Sequence, residues 1–221
     1  MTNRIEFQGW PKMPRLASPY IITEKIDGTN SAVLILPLAD VDHFRVGVDG
    51  PIEFFDGVRE KVLALVEDNG DRFVVFAQSR KRFITPESDN FGFAAWVKAN
   101  AEALVAALGP GRHFGEWWGS GIQRGYGLPK GVKQFSLFNA TRYKDVDIPG
   151  IGLGAVPVLS QGFIDIPLAD QAQRVKGAIA MLIKYGSYAA PGFMKPEGVI
   201  LLHERSNQMF KTYVDDTEKH A

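Results

Sequence analysis

A lysine, an aspartate and a glycine lie close together in residues 23–30, TEKIDGTN. The residues before them favour a strand, and Gly28 favours a turn after it. Alternation along a strand puts Lys25 and Asp27 on the same side. A lysine amine is a nucleophile only without its extra proton, which a buried site or a neighbouring cation promotes. Alone, the Lys-x-Asp-Gly pattern favours a surface ion pair beside an ordinary turn.

Other short motifs follow this segment in a fixed order. They are SR at 79–80 with Pro86 and FG at 91–92, FGE at 114–116 with GIQR at 121–124, FSLFN at 135–139, EGVI at 197–200 and FKTY at 210–213. They carry cations, carboxylates and aromatic side chains, the groups that phosphate, metal and base recognition require. An ordered series is far more specific than any one of its members.

The series resembles the motifs of the covalent nucleotidyltransferases, the superfamily of ATP-dependent ligases and capping enzymes. It is most similar to the nick-sealing RNA ligase family, the second RNA ligase type of T-even phages, over about residues 20–213. This resemblance implies an α+β nucleotidyltransferase (adenylation) domain of two antiparallel sheets flanked by helices, with the ATP site between them. The chain stops shortly after the last motif, so we expect a single adenylation/ligase domain over residues 1–221 and no additional C-terminal domain.

The resemblance also implies an activity, an ATP-dependent RNA ligase that uses ATP and Mg²⁺. Lys25 would be the catalytic residue, taking AMP from ATP and passing it to a 5′-phosphate end that a 3′-hydroxyl then joins. Glu197, ahead of an apolar strand, would bind the metal. The residues expected to bind the nucleotide are Glu24, Ile26, Asn30, Arg80, Glu116, Phe138 and Lys211. Those expected to bind the polynucleotide are Arg82, Arg124, Lys130 and Lys133.

Several of these roles have structural alternatives. Phe138 would stack on the adenine, or be an ordinary core residue. Glu116 would accept a hydrogen bond from the ribose, or pair with Arg112 or Arg124. Lys211 would contact the α-phosphate. The sequence departs from the family at Asn139, where Asp is usual, and at Tyr213, where a second lysine is usual.

Three other functions remain open. The chain could be an ATP-dependent DNA ligase, a stand-alone adenylyltransferase that only activates 5′-phosphate ends, or a non-catalytic ligase fold that binds nucleic acid. The joint presence of Lys25, Glu116, Glu197 and Lys211 favours an enzyme, because a pure binder does not need all four.

Charge is segregated along the chain although its formal net charge is zero. Residues 38–71 carry a net charge of −6 and residues 111–144 a net charge of +5, and residues 80–82 add the basic run RKR. Segregated positive charge suits a phosphate backbone, so we expect RNA or a nicked duplex with 5′-phosphate and 3′-hydroxyl ends as partner. The chain has no cysteine and no long apolar run, which excludes a disulfide scaffold and favours a cytoplasmic protein without membrane contact.

These candidate residues require a framework of strands with few helices. Strands are predicted at Tyr20–Glu24, Ser31–Leu36, Phe44–Val48, Arg72–Gln78, Arg112–Trp118, Gln134–Asn139, Gly198–His203 and Gln208–Tyr213. Helices are predicted at Phe91–Leu108, after a possible cap at Asp89 or Asn90, at Leu168–Lys184 and, shorter, at Gly57–Glu67. Residues 145–154 are predicted to form a loop. Many short strands with intervening helices favour an α+β fold.

Overall fold

The computed structural model describes residues 9–10, 12–13, 15–40, 44–45, 53–54, 59–164 and 169–215. Within these residues most of the backbone is strand. The elements in chain order are β1 (Ser18–Lys25), β2 (Thr29–Pro37), β3 (Phe44–Arg45), β4 (Glu53–Phe54), β5 (Ala64–Asp68), β6 (Asp71–Ser79), β7 (Phe83–Ile84), α1 (Phe93–Ala99), α2 (Ala101–Leu108), β8 (Gly111–Gly119), β9 (Lys133–Leu137), β10 (Asp147–Ile148), β11 (Leu153–Ala155), β12 (Val158–Ile164), α3 (Ala169–Tyr185), β13 (Gly198–His203) and β14 (Gln208–Tyr213).

The smaller sheet has the strand order β12-β1-β13-β14, and all its pairs are antiparallel. Lys25, the last residue of β1, lies opposite Gly198, the first residue of β13. Helix α3 packs on one face of this sheet, where Ala178 and Leu182 join a core with Ile22 and Val199. The other face is free to line a cavity.

The larger sheet has the strand order β10-β11-β9-β8-β2-β6-β5, with β7 added beside β6. Its pairs are antiparallel except β11 with β9, which is parallel. A separate two-stranded ladder joins β3 and β4. The expected α+β fold of two sheets flanked by helices is therefore confirmed, with this one parallel pair as a departure from purely antiparallel pairing.

Helices α1 and α2 cover one face of the larger sheet and form the main core with it. Along β8, buried His113, Gly115 and Trp117 alternate with less buried residues. The alternate set, Arg112, Phe114 and Glu116, faces away from the helices because neighbouring strand residues point to opposite sides. Functional side chains of the larger sheet must therefore lie on this second face.

The two long helices occur close to where the sequence predicts them. The first is divided at Asn100, so that α1 and α2 replace one continuous helix. The N-cap residue of α1 is Gly92 and not Asp89 or Asn90, although the Asp89 carboxylate accepts the backbone N–H groups of Asn90, Ala94 and Ala95 at 2.6–3.0 Å. The second helix, α3, ends one residue later than predicted, and position 168, where the predicted helix begins, lies outside the described residues.

Two predictions about local structure were wrong. In the described part of Gly57–Glu67 there is a short 3₁₀ turn and then β5, because buried Val66 alternates with exposed neighbours and the strand pairs with β6. Residues 145–154 contain β10 and the start of β11, which extend the larger sheet. Strand β12 was not predicted.

The remaining strand predictions are confirmed to within a few residues at their ends, except that 46–48 lie outside the described residues. No helix in the described parts of the chain is long and apolar enough to cross a membrane.

Candidate functional site

A cavity of about 420 Å³ lies between the two sheets. One wall comes from β1, β13 and β14, with Lys25, Ile200 and Lys211. The facing wall comes from Glu116 on β8 and from residues 138–141. The volume falls in the range of small-ligand sites, and charged groups lie among apolar ones, as such sites require.

Lys25 and Glu197 form the closest charged contact at this cavity. The Lys25 Nζ donates a hydrogen bond to Glu197 Oε1 at 2.5 Å. Burial raises the pKa of the Glu197 carboxyl, and the hydrogen bond from Lys25 opposes that rise. The pair joins the end of β1 to the residue before β13, so the pairing of Lys25 with Gly198 brings the two together.

The turn after Lys25 requires a glycine at position 28. A Cβ at this position would lie 2.5 Å from the Trp117 carbonyl oxygen, so only glycine lets the turn approach β8. The Gly28 N–H donates to Glu116 Oε1 at 3.1 Å. Burial raises the pKa of Glu116 to about 7. Glu116 therefore joins the lysine turn to the larger sheet.

The salt bridge considered for Glu116 is not formed with either candidate arginine. Arg112 instead donates to Gln78 Oε1, and Arg124 pairs with Asp27. Within the described residues, Glu116 thus has no arginine partner, and it lines the cavity.

The raised pKa of Glu116 predicts a specific pH dependence of stability. A carboxyl that keeps its proton to higher pH when folded destabilises the fold as pH rises from about 4.5 to about 7. Glu116→Gln removes this titration, so the free energy of unfolding of the wild type should fall relative to the variant by roughly 1–3 kcal/mol between pH 5 and 8. Urea unfolding of both proteins at the two pH values measures it. An equal change in both proteins would contradict the prediction.

Arg124 lies beside the lysine turn and not on an outer surface. Its Nε donates to Asp27 Oδ2 at 3.0 Å, and its Nη1 donates to the Lys195 carbonyl at 3.2 Å. Arg124 therefore links the turn after Lys25 to the segment that carries Glu197. Its predicted contact with polynucleotide stays a prediction.

Sequence reasoning missed the contribution of Tyr126. Its buried phenol oxygen accepts the Asp27 N–H at 2.8 Å, and burial raises the pKa of this phenol. Tyr126 has a φ of 50°, and glycines with positive φ flank it. The sequence signal for Tyr126 was its position between two glycines, because that pattern indicates a sharp turn that fixes the direction of the side chain between them.

Glu24 lines the cavity but uses its carboxylate on the protein itself. Ser187 Oγ donates to one oxygen at 2.6 Å, and the N–H groups of Tyr188 and Ala189 donate to the other at 2.8 and 3.0 Å. Burial raises the pKa of Glu24. Glu24 thus holds the 187–189 loop against the end of β1, and its contact with the nucleotide stays a prediction.

Phe138 and Lys211 both line the cavity, on facing walls. Phe138 is 38% exposed, so it is not the core residue that was considered as an alternative. Lys211 Nζ lies 5.6 Å from the centroid of the Tyr213 ring, and Lys25 Nζ lies 5.5 Å from the same centroid. The residue that replaces the family's usual lysine therefore contacts both ammonium groups through its ring.

The other residues predicted for nucleotide binding take different positions. Ile26 lines the cavity while packing against Trp118 and Tyr126. Asn30 lies opposite Glu116 in the β2–β8 ladder, on the same face. Arg80 is exposed directly after β6. Of these three, Ile26 lines the cavity, and the nucleotide contacts of Asn30 and Arg80 stay predictions.

Three residues predicted to contact polynucleotide lie away from the cavity. Lys130 is exposed. Arg82 donates to Ser88 and so orders the turn after β7. Lys133 Nζ donates to the Phe91 carbonyl at 2.7 Å, which holds the segment before α1. Arg82 and Lys133 therefore both donate hydrogen bonds within the protein.

Glu197 is the one candidate metal ligand, and its second oxygen fits that role. Oε2 is buried and accepts no hydrogen bond from any described residue. A buried carboxylate oxygen without a partner costs stability, and a cation removes that cost. No cluster of three or more His, Asp or Glu side chains occurs in the described residues. Such a site suits Mg²⁺, which takes few protein ligands and fills its shell with phosphate and water oxygens.

The histidines and paired tryptophans are structural where the structure describes them. His113 contacts the Tyr143 hydroxyl and the Gly109 carbonyl, and His203 contacts the Leu16 carbonyl. His43 and His220 lie outside the described residues. Trp117 and Trp118 are buried.

A family model described as RNA ligase matches residues 18–213. No curated protein matches the chain. Among solved structures, three of an RNA ligase from Naegleria gruberi are similar: an apo variant (TM-score 0.48, 15% identity), a form with PPi and a second variant with ATP and Mn (each TM-score 0.49, 16% identity). Each match covers 92% of this chain and 52% of the other, so the chain spans about half the length of these structures.

Proposed function

Because the chain belongs to the RNA ligase family, we propose that it is an ATP-dependent RNA ligase that works through a Lys25–AMP intermediate. Residues 1–221 would act as a single adenylation/ligase domain, and the motif resemblance supports the nick-sealing type. The observation that carries the proposal is the Lys25–Glu197 contact of 2.5 Å at a cavity that Glu116, Phe138 and Lys211 also line.

In the first step, the lone pair of Lys25 Nζ attacks the α-phosphorus of ATP. A P–N bond forms, and the bond from that phosphorus to the pyrophosphate oxygen breaks. The ammonium must first give up one proton, and the hydrogen bond to Glu197 Oε1 provides the path.

The surrounding side chains position ATP for that step. Phe138 offers a partly exposed ring for the adenine, and Glu116 offers a carboxylate for the ribose hydroxyls. Lys211, on the opposite wall, contributes positive charge for the α-phosphate. Glu197 Oε2 would hold Mg²⁺, which neutralises phosphate charge when bound.

In the later steps the AMP moves from Lys25 to a 5′-phosphate end, and a 3′-hydroxyl then displaces it. We expect joining to be best when the 3′-hydroxyl strand is RNA, because the chain belongs to the RNA ligase family. The measurement offers pre-adenylated 5′ ends beside 3′-hydroxyl ends that are ribose or deoxyribose, and compares the rates of joining.

Each other outcome of this experiment identifies an alternative. Equal joining of both ends would support a DNA ligase. Intact Lys25 adenylation without joining of either end would support a stand-alone adenylyltransferase. Loss of both adenylation and joining, with RNA still bound, would support a non-catalytic binding protein.

A further inference from the structure

Three partly exposed phenylalanines lie in one row across the larger sheet, which we call the aromatic row: Phe138, Phe114 and Phe83. The Phe138 N–H donates to the Phe114 carbonyl at 3.0 Å, which continues the β8–β9 ladder by one residue. Phe114 lies opposite Ala32, Ala32 opposite Gln78, and Gln78 opposite Phe83. Residues directly opposite in antiparallel strands share a face, so the row runs along the face that carries Glu116.

The three phenylalanines of the aromatic row are partly exposed. The exposed fractions of Phe138, Phe114 and Phe83 are 38%, 44% and 37%. Buried Ala32 and half-buried Gln78 separate Phe114 from Phe83. With strands about 4.8 Å apart, the row extends roughly 14 Å beyond Phe114 to Phe83. This length corresponds to a few nucleotides and not to one ligand in the cavity.

Arginines accompany the aromatic row outside the cavity. The Arg112 guanidinium carbon lies 5.9 Å from the centroid of the Phe83 ring, and Arg112 also donates to Gln78. Phe83 is supported by Phe76, with ring centroids 5.6 Å apart. Arg80 follows the end of β6 and is exposed. Flat rings and planar cations in one surface are what nucleic-acid bases and phosphates bind.

We propose that the aromatic row, with Arg112, is the surface on which bases of an RNA substrate stack where they are unpaired, beyond the paired stretch that a nick-sealing enzyme joins. This inference deepens the proposed ligase function and rests on it for the identity of the strand. The Phe138 ring faces the adenine in the cavity, so it marks where the row meets the nucleotide site, and the RNA bases stack on Phe114 and Phe83. Bases stack on phenylalanine regardless of sequence, so the surface binds single-stranded RNA without sequence preference.

Charge favours RNA over a protein partner at this surface. Arg112 and Arg80 carry positive charge beside rings that are too dispersed to form a compact apolar patch. A protein interface of this kind would need a closed apolar centre. A nucleic-acid strand needs only rings at intervals and cations for its phosphates.

The experiment measures binding of a fluorescein-labelled oligouridylate by anisotropy at one fixed salt concentration. Phe114→Leu keeps an apolar side chain without a ring face, and it should weaken binding about tenfold. Phe114→Trp should retain the wild-type affinity. Arg112→Gln should weaken binding and reduce its dependence on salt, because one phosphate contact is lost.

A matched control comes from the edge of the smaller sheet. Phe163 is 45% exposed, and the Arg205 guanidinium carbon lies 5.9 Å from its ring centroid. Phe163→Leu and Arg205→Gln therefore remove an equally exposed ring and cation, and they should leave RNA binding unchanged. The proposal would be overturned if both pairs of variants changed RNA affinity equally, or if the Phe114 and Arg112 variants did not change it. A protein partner would then be the remaining candidate for this surface.

Labelling of Lys25 by ATP, measured on the same preparations, separates the two proposals. If the wild-type protein is not labelled, the proposed ligase function is refuted. The RNA affinities of the Phe114 variants would still show whether the aromatic row binds RNA. If the protein is labelled but substitution of Phe114 leaves its RNA affinity unchanged, the proposal for the aromatic row is refuted and the ligase proposal is not.

Discussion

Lys25→Ala is expected to abolish transfer of AMP from ATP to the protein. The variant removes the amine that we propose attacks the α-phosphorus, and no other described lysine contacts the Glu197 carboxylate. Incubation with labelled ATP and Mg²⁺, followed by mass analysis of the intact chain, should show one AMP on the wild type and none on the variant. Because covalent catalysis requires the nucleophile itself, the loss should be complete to the limit of detection.

Two further variants make this result specific. Lys25→Arg keeps a positive charge beside Glu197 but is not a nucleophile at neutral pH, so it should also remain unlabelled. Lys98→Ala removes an exposed lysine at the end of α1, and it should be labelled like the wild type. Undiminished labelling of Lys25→Ala would place the nucleophile elsewhere and refute the proposed mechanism.

Glu197→Ala is expected to slow Lys25 adenylation more than Phe138→Leu does. Removing Glu197 deletes both the proton acceptor at Lys25 and the buried oxygen that fits a metal ion. Groups that stabilise charge in the transition state contribute about 10²–10³ in rate, and we expect a loss of that order. Phe138→Leu keeps an apolar wall and loses only the ring face, so it should weaken ATP binding by roughly tenfold or less.

Single-turnover rates at rising ATP and Mg²⁺ concentrations distinguish the two variants. Saturating ATP should restore most of the rate in Phe138→Leu, whereas neither ATP nor Mg²⁺ should restore Glu197→Ala. Glu197→Gln keeps the shape of the side chain and can still accept a hydrogen bond from Lys25, so it measures the effect of losing only the negative charge. Small and equal losses in all three variants would contradict the assignment of Glu197 to the reacting centre.

Sequence analysis identified the candidate residues for the chemistry and the strands that present them. Glu197 precedes a predicted strand and Lys211 lies within another, as the structure confirms, and Lys25 directly follows a predicted strand that the structure extends to include it. Strand boundaries could be predicted because apolar residues recur with the period of two along β8 and its neighbours, and this period is a local property. The ordered motifs predicted an RNA ligase, which the family model confirms, whereas the nick-sealing type stays a prediction.

Only the tertiary structure decided which of these groups meet. Lys25 and Glu197 are 172 residues apart in sequence, and their contact depends on the register of β1 against β13. The partners of Arg124 and Lys133 are set by turns that bring Asp27 and the Phe91 carbonyl within reach, so neither arrangement follows from spacing.

The wrong helix prediction at Gly57–Glu67 has the same cause. A short apolar segment fits a helix or a strand equally well until a neighbouring strand pairs with it, and here β6 does so. The aromatic row also has no local signal, because Phe83, Phe114 and Phe138 lie in separate motifs and become neighbours only through the ladders of the larger sheet. Long-range strand pairing therefore determines which side chains share this surface.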